Sequence, residues 1–522
     1  MLARLRPAHW IWPTLAAFLL AAAVWPKITA GFWTDEAGTW WIVRDGFGDA
    51  VARAEWWSAT SPFYYSLLWA WSRLFGLGEV SLRLPSLLCG LASAALLHRL
   101  ARFWFDAEGA WLAVVFFLMS RFVAFAVVDA RPYSLGLMLL LAAWVSLLSW
   151  LEDGRRRHGV LFVLCAAGAV WAHYMLALGL LPLAWYLRPL GWRRALAALL
   201  GGALLLLPRA WQVAEVAGRR GQLSFARPAG ALDLAIALFP LELAALAVLG
   251  ALVATFATVR RPRGAPRDFL PCRPRRSLAP VALLAALPPL TLFLLSRFGG
   301  AQFFVYRYMI AREIGLALAA AWLVSGLTRR GLRAATAVAA ALLAFALFLS
   351  GSSHANDWRS ASRWAASRPG RPVAVASGFV ESDLPGAVAD PARRDILFAP
   401  QALYPVPGRP ILLPMRPAAA DARAILEIDV VPAARQHGGL LVLAGPISVH
   451  YRQALERRLG PAGLRLVEER NFEGIRGWRF ERALPAASAS IRPAALPAGA
   501  ATGSSPTPAS PPTPPAPSSA AP

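Results

Sequence analysis

The chain has 522 residues, of which 57% are hydrophobic and 22 are tryptophan, and its mean hydropathy is +0.49. A composition this apolar excludes a soluble protein of that length and predicts a polytopic α-helical membrane protein. The formal charge of +24 would suit nucleic acid, but Lys27 is the only lysine and the arginines cluster between apolar segments, as the positive-inside rule describes. We therefore expect no nucleic-acid partner. Three scattered cysteines indicate neither a disulfide framework nor a zinc site.

Apolar runs alternate with arginine clusters along the first 350 residues. A hydrocarbon core of about 30 Å needs about 20 helical residues, and the clusters give the orientation. The N-terminal MLARLR and its apolar run indicate an uncleaved signal anchor. We predict about eleven membrane spans, with the N-terminus cytoplasmic, near residues 10–28, 82–97, 110–125, 134–150, 160–171, a sixth ending at 186, 196–211, 232–259, 278–295, 309–324 and 334–349.

Two stretches differ from this pattern. Residues 37–75 mix charges with tryptophans around Pro62, which predicts interfacial helices in the first external loop. After residue 350, strand-like runs at 372–377, 411–414, 424–431 and 439–443 alternate with helical runs at 360–367 and 447–459. The predicted domains are a transmembrane domain over 1–350, a small external α/β domain over 351–483, and a disordered Ala/Pro/Ser-rich tail over 484–522.

The stretch GFWTDEAGTWW, residues 31–41, places Asp35 and Glu36 at the predicted exit of the first span. Carboxylates beside a membrane span are costly to desolvate, so they are candidates for function. The alternative interpretation is an ordinary loop in which Thr34 or Asp35 caps the next helix.

Other polar side chains fall on the same predicted outer face. They are Asp129, Arg131 and Tyr133 in DARPY, the pair His173 and Tyr174, and Arg307 with Tyr308 in YRY. Each has a structural alternative: helix initiation at a proline, an interfacial histidine, or an aromatic belt with a snorkelling arginine. Brought together, carboxylates beside cations would suit a substrate with a phosphate head and a lipid tail.

The order of these motifs resembles the bacterial GT-C glycosyltransferases, which are related to protein O-mannosyltransferases, the aminoarabinose transferase of lipid A and sugar transferases of the rhizobial lipopolysaccharide core. The resemblance covers roughly residues 10–349. It rests on DE after the first span, SPFYYSLLWAWSRLFGLGEVSLRLPSLLCG at 61–90, DARPYSL, HY and RY, with DW at 357–358 after the last span. Two departures are Ser61-Pro62-Phe63-Tyr64, where many members have a proline pair, and Val128-Asp129, where many have Gln-Glu.

The resemblance implies a transferase at the bacterial inner membrane that moves a hexose or pentose, normally with inversion, from a polyprenyl-phosphate donor. Its acceptor would be a lipid, glycan or protein of the cell envelope, on the periplasmic side. The expected catalytic residues are Asp35 as general base with Glu36 and Asp129 in orientation or metal contact, Asp35 and Asp129 being the candidate ligands of a divalent Mg or Mn ion. The expected binding residues are Arg131, Tyr133, Arg307 and Tyr308 for the donor phosphate, and His173, Tyr174 and Tyr64 for other parts of the substrates.

Two other functions fit a chain of this class. A transporter or flippase for a lipid-linked sugar would usually show repeated halves and Gly/Pro-broken spans near the midplane, and neither is evident in the sequence. A non-catalytic membrane protein whose outer domain binds an envelope partner would leave the acids incidental.

Overall fold

The computed structural model describes residues 11–56, 61–218, 228–240, 276–299, 302–328, 330–350 and 356–482. The described chain before residue 351 consists of helices and their connections. Its α-helices are α1 (Ile11–Val24), α2 (Thr34–Val43), α3 (Phe47–Trp56), α4 (Pro62–Phe75), α5 (Glu79–Ala101), α6 (Ala107–Met119), α7 (Arg121–Ala126), α8 (Tyr133–Asp153), α9 (Arg156–Ala172), α10 (Ala177–Leu180), α11 (Ala184–Leu187), α12 (Trp192–Leu206), α13 (Ala210–Gly218), α14 (Ala231–Leu238), α15 (Ala279–Phe298), α16 (Arg312–Ser325) and α17 (Arg330–Ser350).

Four helical stretches among the described residues are long and apolar enough to cross a membrane: Glu79–Ala101, Tyr133–Asp153, Trp192–Gln212 and Ala279–Phe298. Shorter apolar helical stretches occur at Ile11–Val24, Ala107–Met119 and Tyr174–Leu190. The helical class is therefore confirmed, whereas the count of eleven spans and their orientation stay predictions. Most of the predicted span at 232–259 lies outside the described residues.

Two predicted spans are interrupted for local reasons. The run at 110–125 forms two helices that meet at Ser120, whose hydroxyl accepts hydrogen bonds from the backbone N–H groups of Phe122 and Val123. The segment after His173 breaks into short α and 3-10 turns, two of which contain Pro182 and Pro189, residues without a backbone donor.

The first loop, 37–75, is helical in three pieces, α2 to α4. Ser61 caps α4 by accepting a hydrogen bond from the N–H of Phe63, with Pro62 in the first turn, and Gly76 ends the helix at a φ of +82°. Helix α8 lies at the centre of the largest hydrophobic cluster and packs against α5 and α9. These contacts fix the DARPY turn, which leads directly into α8.

The described residues after 355 form helices around one five-stranded sheet. The strands are β1 (Val373–Ala376), β2 (Ile411–Leu413), β3 (Gly439–Ala444), β4 (Leu464–Phe472) and β5 (Ile475–Arg482), in the order β2-β1-β3-β5-β4. Strands β1, β2 and β3 are parallel, with Val375 beside Leu412 and Leu443, and the β4–β5 hairpin is antiparallel. The α-helices are α18 (Trp358–Ala366), α19 (Pro391–Leu397), α20 (Ala399–Leu403), α21 (Ala422–Ile425), α22 (Val431–Gln436) and α23 (Tyr451–Leu459).

The prediction of a strand at 424–431 is wrong. The residues form one helical run with a π-helical turn at Leu426–Val430, although alternating apolar residues in AILEIDVV favoured a strand. The buried positions are spaced by four, at Ala422, Leu426, Val430 and Ala434, which is a helical repeat. The predicted disordered tail at 484–522 lies outside the described residues.

The sheet and the first loop are joined by specific contacts. Trp358 Nε1 donates to Thr34 Oγ1 at 3.0 Å, and the N–H of Phe32 donates to the Tyr404 hydroxyl at 2.7 Å. Gly378, directly after β1, lies so close to Thr34 that a Cβ would meet its side chain at 2.6 Å. The carboxyl end of β1 is thereby held against the first turn of α2.

Candidate active site

The two acids of GFWTDEAGTWW lie in the first turn of α2, next to each other in sequence but in different surroundings. Trp33 is extended and precedes the helix, and its N–H donates to Glu36 Oε2 at 3.4 Å. Carboxylates suit this position because the N-terminal N–H groups of a helix carry partial positive charge. Successive helical residues point about 100° apart, so Asp35 and Glu36 enter different environments.

Glu36 is fully buried and paired with Arg83 of α5, which is also fully buried. Arg83 donates Nε to Oε1 at 2.8 Å and Nη2 to Oε2 at 2.5 Å, and the N–H of Ala130 donates to Oε1 at 2.9 Å. This two-point geometry is the strong form of an arginine–carboxylate pair. Both oxygens of Glu36 are thus engaged in holding α2, α5 and the DARPY turn together.

Arg83 also organises the segment that leads into α2. Its guanidinium donates to the carbonyls of four residues there, at distances of 2.6 to 3.2 Å: Lys27, Ile28, Ala30 and Gly31. The arginine therefore fixes the backbone on which the acids stand.

Asp35 lines a cavity of about 300 Å³. Its side chain is 19% exposed, and Oδ2 lies 3.7 Å from Arg307 Nη1 and 4.0 Å from Arg131 Nη2. Among the described residues, its carboxylate receives only these ion-pair contacts. Asp35 is therefore held by charge at the cavity wall, whereas Glu36 is fixed by hydrogen bonds.

The two arginines are positioned by aromatic neighbours. Arg131 is buried and donates Nη1 to the Tyr65 hydroxyl at 3.0 Å. The Arg307 guanidinium lies 5.9 Å from the Trp33 ring and 5.6 Å from the Tyr308 ring. Both arginines and Tyr308 line the cavity with Asp35, so two cations and one carboxylate share one wall.

Asp129 is fully buried below this wall and is not among the lining residues of the cavity. Its Oδ1 accepts a hydrogen bond from Trp33 Nε1 at 2.9 Å, and its Oδ2 has no hydrogen-bond partner among the described residues. Burial raises the pKa of Asp129, and the neighbouring Glu36 raises it further, against the opposing effect of the Trp33 hydrogen bond. Asp129 is thus disposed to hold a proton and to orient Trp33.

The aromatic candidates Tyr133 and His173 lie behind the cavity wall, next to Tyr308. His173 stands between the rings of Tyr133 and Tyr308, at centroid distances of 5.1 and 5.7 Å. Burial lowers the pKa of His173 to about 3, with Arg131 and Arg307 acting in the same direction, so this histidine is neutral near pH 7. Of the three, Tyr308 lines the cavity.

Two further tyrosine candidates lie elsewhere. Tyr174 donates to Gln212 Oε1 at 2.5 Å, away from the acids, and Tyr64 packs edge-on against Tyr65 at 5.3 Å. Neither is among the residues that line the described cavity.

The opposite wall comes from the C-terminal sheet, from what we call the strand-end loops: residues 377–381 after β1, 415 after β2 and 445–448 after β3. These loops follow the three parallel strands, so they meet at one edge of the sheet. Glu381, Met415 and Ser448 line the cavity from this side. Ligands of open α/β sheets bind outside the carboxyl ends of the parallel strands, so the position is typical of a binding surface.

Comparisons with known proteins agree with this geometry. The family model described as dolichyl-phosphate-mannose-protein mannosyltransferase matches residues 59–210. The crystal structure of ArnT from Cupriavidus metallidurans bound to undecaprenyl phosphate matches with a TM-score of 0.51 and 14% identity, over 91% of this chain and 98% of that one. Its apo state matches with a TM-score of 0.50 and 15% identity, over 90% and 97%. The chain therefore has a fold similar to that of ArnT, and residues 59–210 resemble the mannosyltransferase family. Among curated proteins, no sequence matches significantly.

The candidate site does not fit the Mg or Mn ion expected from the resemblance. No group of three or more His, Cys, Asp or Glu side chains gathers in the described part of the chain. The two candidate ligands are also poorly placed, because Asp35 faces two guanidinium groups that would repel a cation, and Asp129 lies beneath the wall. We derive no step through a metal.

Two residues of the candidate site were not predicted from the sequence, Arg83 and Trp33. Arg83 could have been found, since an arginine inside the long apolar run 79–101 needs a buried partner. Trp33 donates a hydrogen bond to Asp129, and nothing in the sequence apart from its position beside the acids indicates this contact.

Proposed function

We propose that this protein is a membrane glycosyltransferase of the GT-C superfamily that moves a sugar from a polyprenyl-phosphate donor to a hydroxyl group of a cell-envelope acceptor. The observation that carries the proposal is the carboxylate of Asp35 at the cavity wall, within 4.0 Å of Arg131 and Arg307. A lipid phosphate needs cations, and ArnT, which shares the fold, was crystallised with undecaprenyl phosphate.

In the proposed reaction the acceptor oxygen attacks the anomeric carbon of the donor sugar while Asp35 takes the hydroxyl proton. The bond between that carbon and the phosphate oxygen breaks, and the lipid phosphate leaves with the electron pair. Arg131 and Arg307 stabilise its growing charge, with Tyr308 beside them. Attack opposite to the leaving group inverts the anomeric configuration. A positioned base of this kind typically contributes about 10²–10⁴-fold.

The remaining residues act through these groups in the proposal. Glu36 is a positioning residue that fixes α2 through Arg83, and Asp129 orients Trp33 beneath Arg307. Tyr133 and His173 pack behind Tyr308, and Tyr64 packs against Tyr65, which binds Arg131. Tyr174 lies outside this set and has no proposed catalytic role.

The proposal includes the orientation expected from the charges and the cellular setting that the family resemblance implies. The protein would lie in a bacterial inner membrane with its N-terminus cytoplasmic and residues 351–483 periplasmic. The acceptor would be lipopolysaccharide or another envelope lipid, glycan or protein, and the transferred sugar a hexose or pentose.

Asp35→Asn tests the base directly. In membranes supplied with a panel of undecaprenyl-phosphate-linked hexoses and pentoses, we expect the variant to insert normally and to lose sugar transfer, by about 10²-fold or more. The readout is undecaprenyl phosphate released per unit of inserted protein, by mass spectrometry.

The matched control is Asp45→Asn, which changes an exposed acid paired with Arg44 and Arg53 outside the cavity. It should retain transfer. Full activity of Asp35→Asn would refute the assignment of the base.

A further inference from the structure

Asn356 stands at the edge of the cavity, opposite the two arginines. It directly precedes Asp357 and Trp358 and lines the same cavity as Asp35. The sequence motif at this point is the Asp-Trp pair that follows it. Asn356 is therefore a cavity residue to which neither the motifs nor the proposed reaction assigns a role.

The backbone of Asn356 has a conformation that favours glycine. Its φ is +87°, and its N–H donates to the carbonyl of Glu473 at 2.5 Å, in the β4–β5 turn. The next N–H, of Asp357, donates to Phe472 O at 3.2 Å, so both hydrogen bonds hold the left-handed turn. Asparagine adopts a positive φ more readily than most residues with a side chain, and glycine adopts it without strain.

The side chain of Asn356 is 9% exposed, and its Oδ1 is buried with no hydrogen-bond partner among the described residues. Buried side-chain oxygens are bonded in the large majority of cases, so an orphaned one at a cavity wall indicates a missing partner. An amide oxygen is an acceptor and needs a donor. A hydroxyl group supplies one, whereas an ionised phosphate oxygen does not.

We propose that Asn356 binds a sugar hydroxyl in the cavity. The inference rests on the proposed function and divides the cavity chemically, with phosphate at Arg131 and Arg307 and sugar at Asn356. The Glu381 carboxylate lines the same side and adds acceptor oxygens. The hydroxyl belongs to the transferred sugar of the donor or to a glycan acceptor, which share this chemistry.

Asn356→Gly is the decisive variant, because glycine adopts the left-handed backbone without strain and the fold is preserved. Glu473→Gly is the matched control: it makes the same change at the neighbouring non-glycine residue with positive φ, 46°, whose side chain is exposed and outside the cavity lining.

The first arm measures dissociation constants of the full chain in nanodiscs for plain undecaprenyl phosphate and for undecaprenyl-phosphate-linked mannose, glucose, galactose and arabinose. The second arm measures binding of lipopolysaccharide core oligosaccharides in the presence of undecaprenyl phosphate. We expect Asn356→Gly to lose about 3- to 10-fold in sugar-dependent affinity, the effect of one hydrogen bond, with plain undecaprenyl phosphate unchanged.

A loss in the first arm assigns the donor sugar, and a loss confined to the second assigns the acceptor. Unchanged sugar-dependent affinity in both arms, or an equal loss for plain undecaprenyl phosphate or in Glu473→Gly, overturns the role of Asn356. If the unaltered chain binds no undecaprenyl phosphate, the proposed function itself fails, which is a separate result.

Discussion

Asp35 and Glu36 are adjacent, yet they belong to two different regions of the molecule. Glu36 lies in a buried cluster with Arg83 and the N–H of Ala130, which donate hydrogen bonds of 2.5 to 2.9 Å to its two oxygens. Asp35 lies at a cavity wall and meets its two arginines only at 3.7 and 4.0 Å. The Glu36 cluster therefore has a structural role, whereas the Asp35 carboxylate can contact a substrate in the cavity.

Within one helical turn, Glu36 therefore contributes to the stability of the fold and Asp35 to the proposed reaction. An ion pair removed from water has already lost hydration and is costly to break, whereas a carboxylate beside a cavity keeps lone pairs available. Changes at Glu36 should therefore act on folding, and changes at Asp35 on reaction rate.

Glu36→Gln should have the largest effect on stability. It leaves the buried Arg83 without its charge partner, and breaking such a pair costs about 3–5 kcal/mol. Thermal unfolding in detergent, followed by size-exclusion chromatography of a fluorescent fusion, measures the loss. Glu152→Gln is the control, since Glu152 pairs with Arg276 while more than half exposed, and such pairs contribute about 0–1 kcal/mol. Equal melting temperatures for the two variants would contradict the division.

Arg307→Gln should act on lipid-phosphate binding rather than on folding. A hydrogen bond to a charged group contributes about 1.5–3 kcal/mol, so the dissociation constant for undecaprenyl phosphate should rise about 10- to 100-fold. Arg393→Gln, which breaks an exposed pair with Asp390, should leave it unchanged. An unaltered dissociation constant in Arg307→Gln would remove this arginine from the phosphate site.

Much of the molecule followed from the sequence because its signals are local. Apolar runs gave the helical class, and the order of polar turns gave the residues of the cavity wall, Asp35, Arg131, Arg307 and Tyr308. The strand at 424–431 was mispredicted because apolar residues alternate in this short run, as they do in a strand. The side chains that are buried in the structure are instead spaced by four residues, as in a helix.

The rest depends on contacts between distant segments. Whether Glu36 or Asp35 faces the cavity is decided by Arg83, 47 residues away, and no pattern within the motif shows it. The second wall comes from loops more than 300 residues further on, such as the turn containing Gly378. One sequence carries no period or motif that links such positions.

Gly378→Ala should weaken the contact between the sheet and α2. Its Cβ would meet Thr34 Cγ2 at 2.6 Å and Oγ1 at 2.7 Å, both on a stiff β-branched side chain. Such overpacking costs about 1–3 kcal/mol, to be measured as a lower melting temperature. Gly48→Ala, where a Cβ meets nothing within 4 Å, is the control. If Thr34→Ala does not relieve part of the defect in the double variant, the clash is not its cause.

His173 should produce the smallest effect, a dependence of stability on pH. Its pKa is lowered to about 3 in the folded chain, below the ordinary value of 6.5. Between these two pH values the unfolded chain binds a proton that the folded chain does not. The contribution of His173 to the free energy of unfolding is therefore fully present above about pH 6.5 and decreases on acidification. Uptake of one proton on unfolding changes the free energy of unfolding by about 1.4 kcal/mol per pH unit. His173→Phe, which suits the space between Tyr133 and Tyr308, removes this titrating group. Its melting temperature should therefore fall less between pH 7 and pH 5.5 than that of the unaltered chain. Tyr174→Phe, at the adjacent position, should keep the original dependence. An identical slope in His173→Phe would mean that the histidine is not held neutral behind the cavity wall, and the aromatic support of Tyr308 would then need a different explanation.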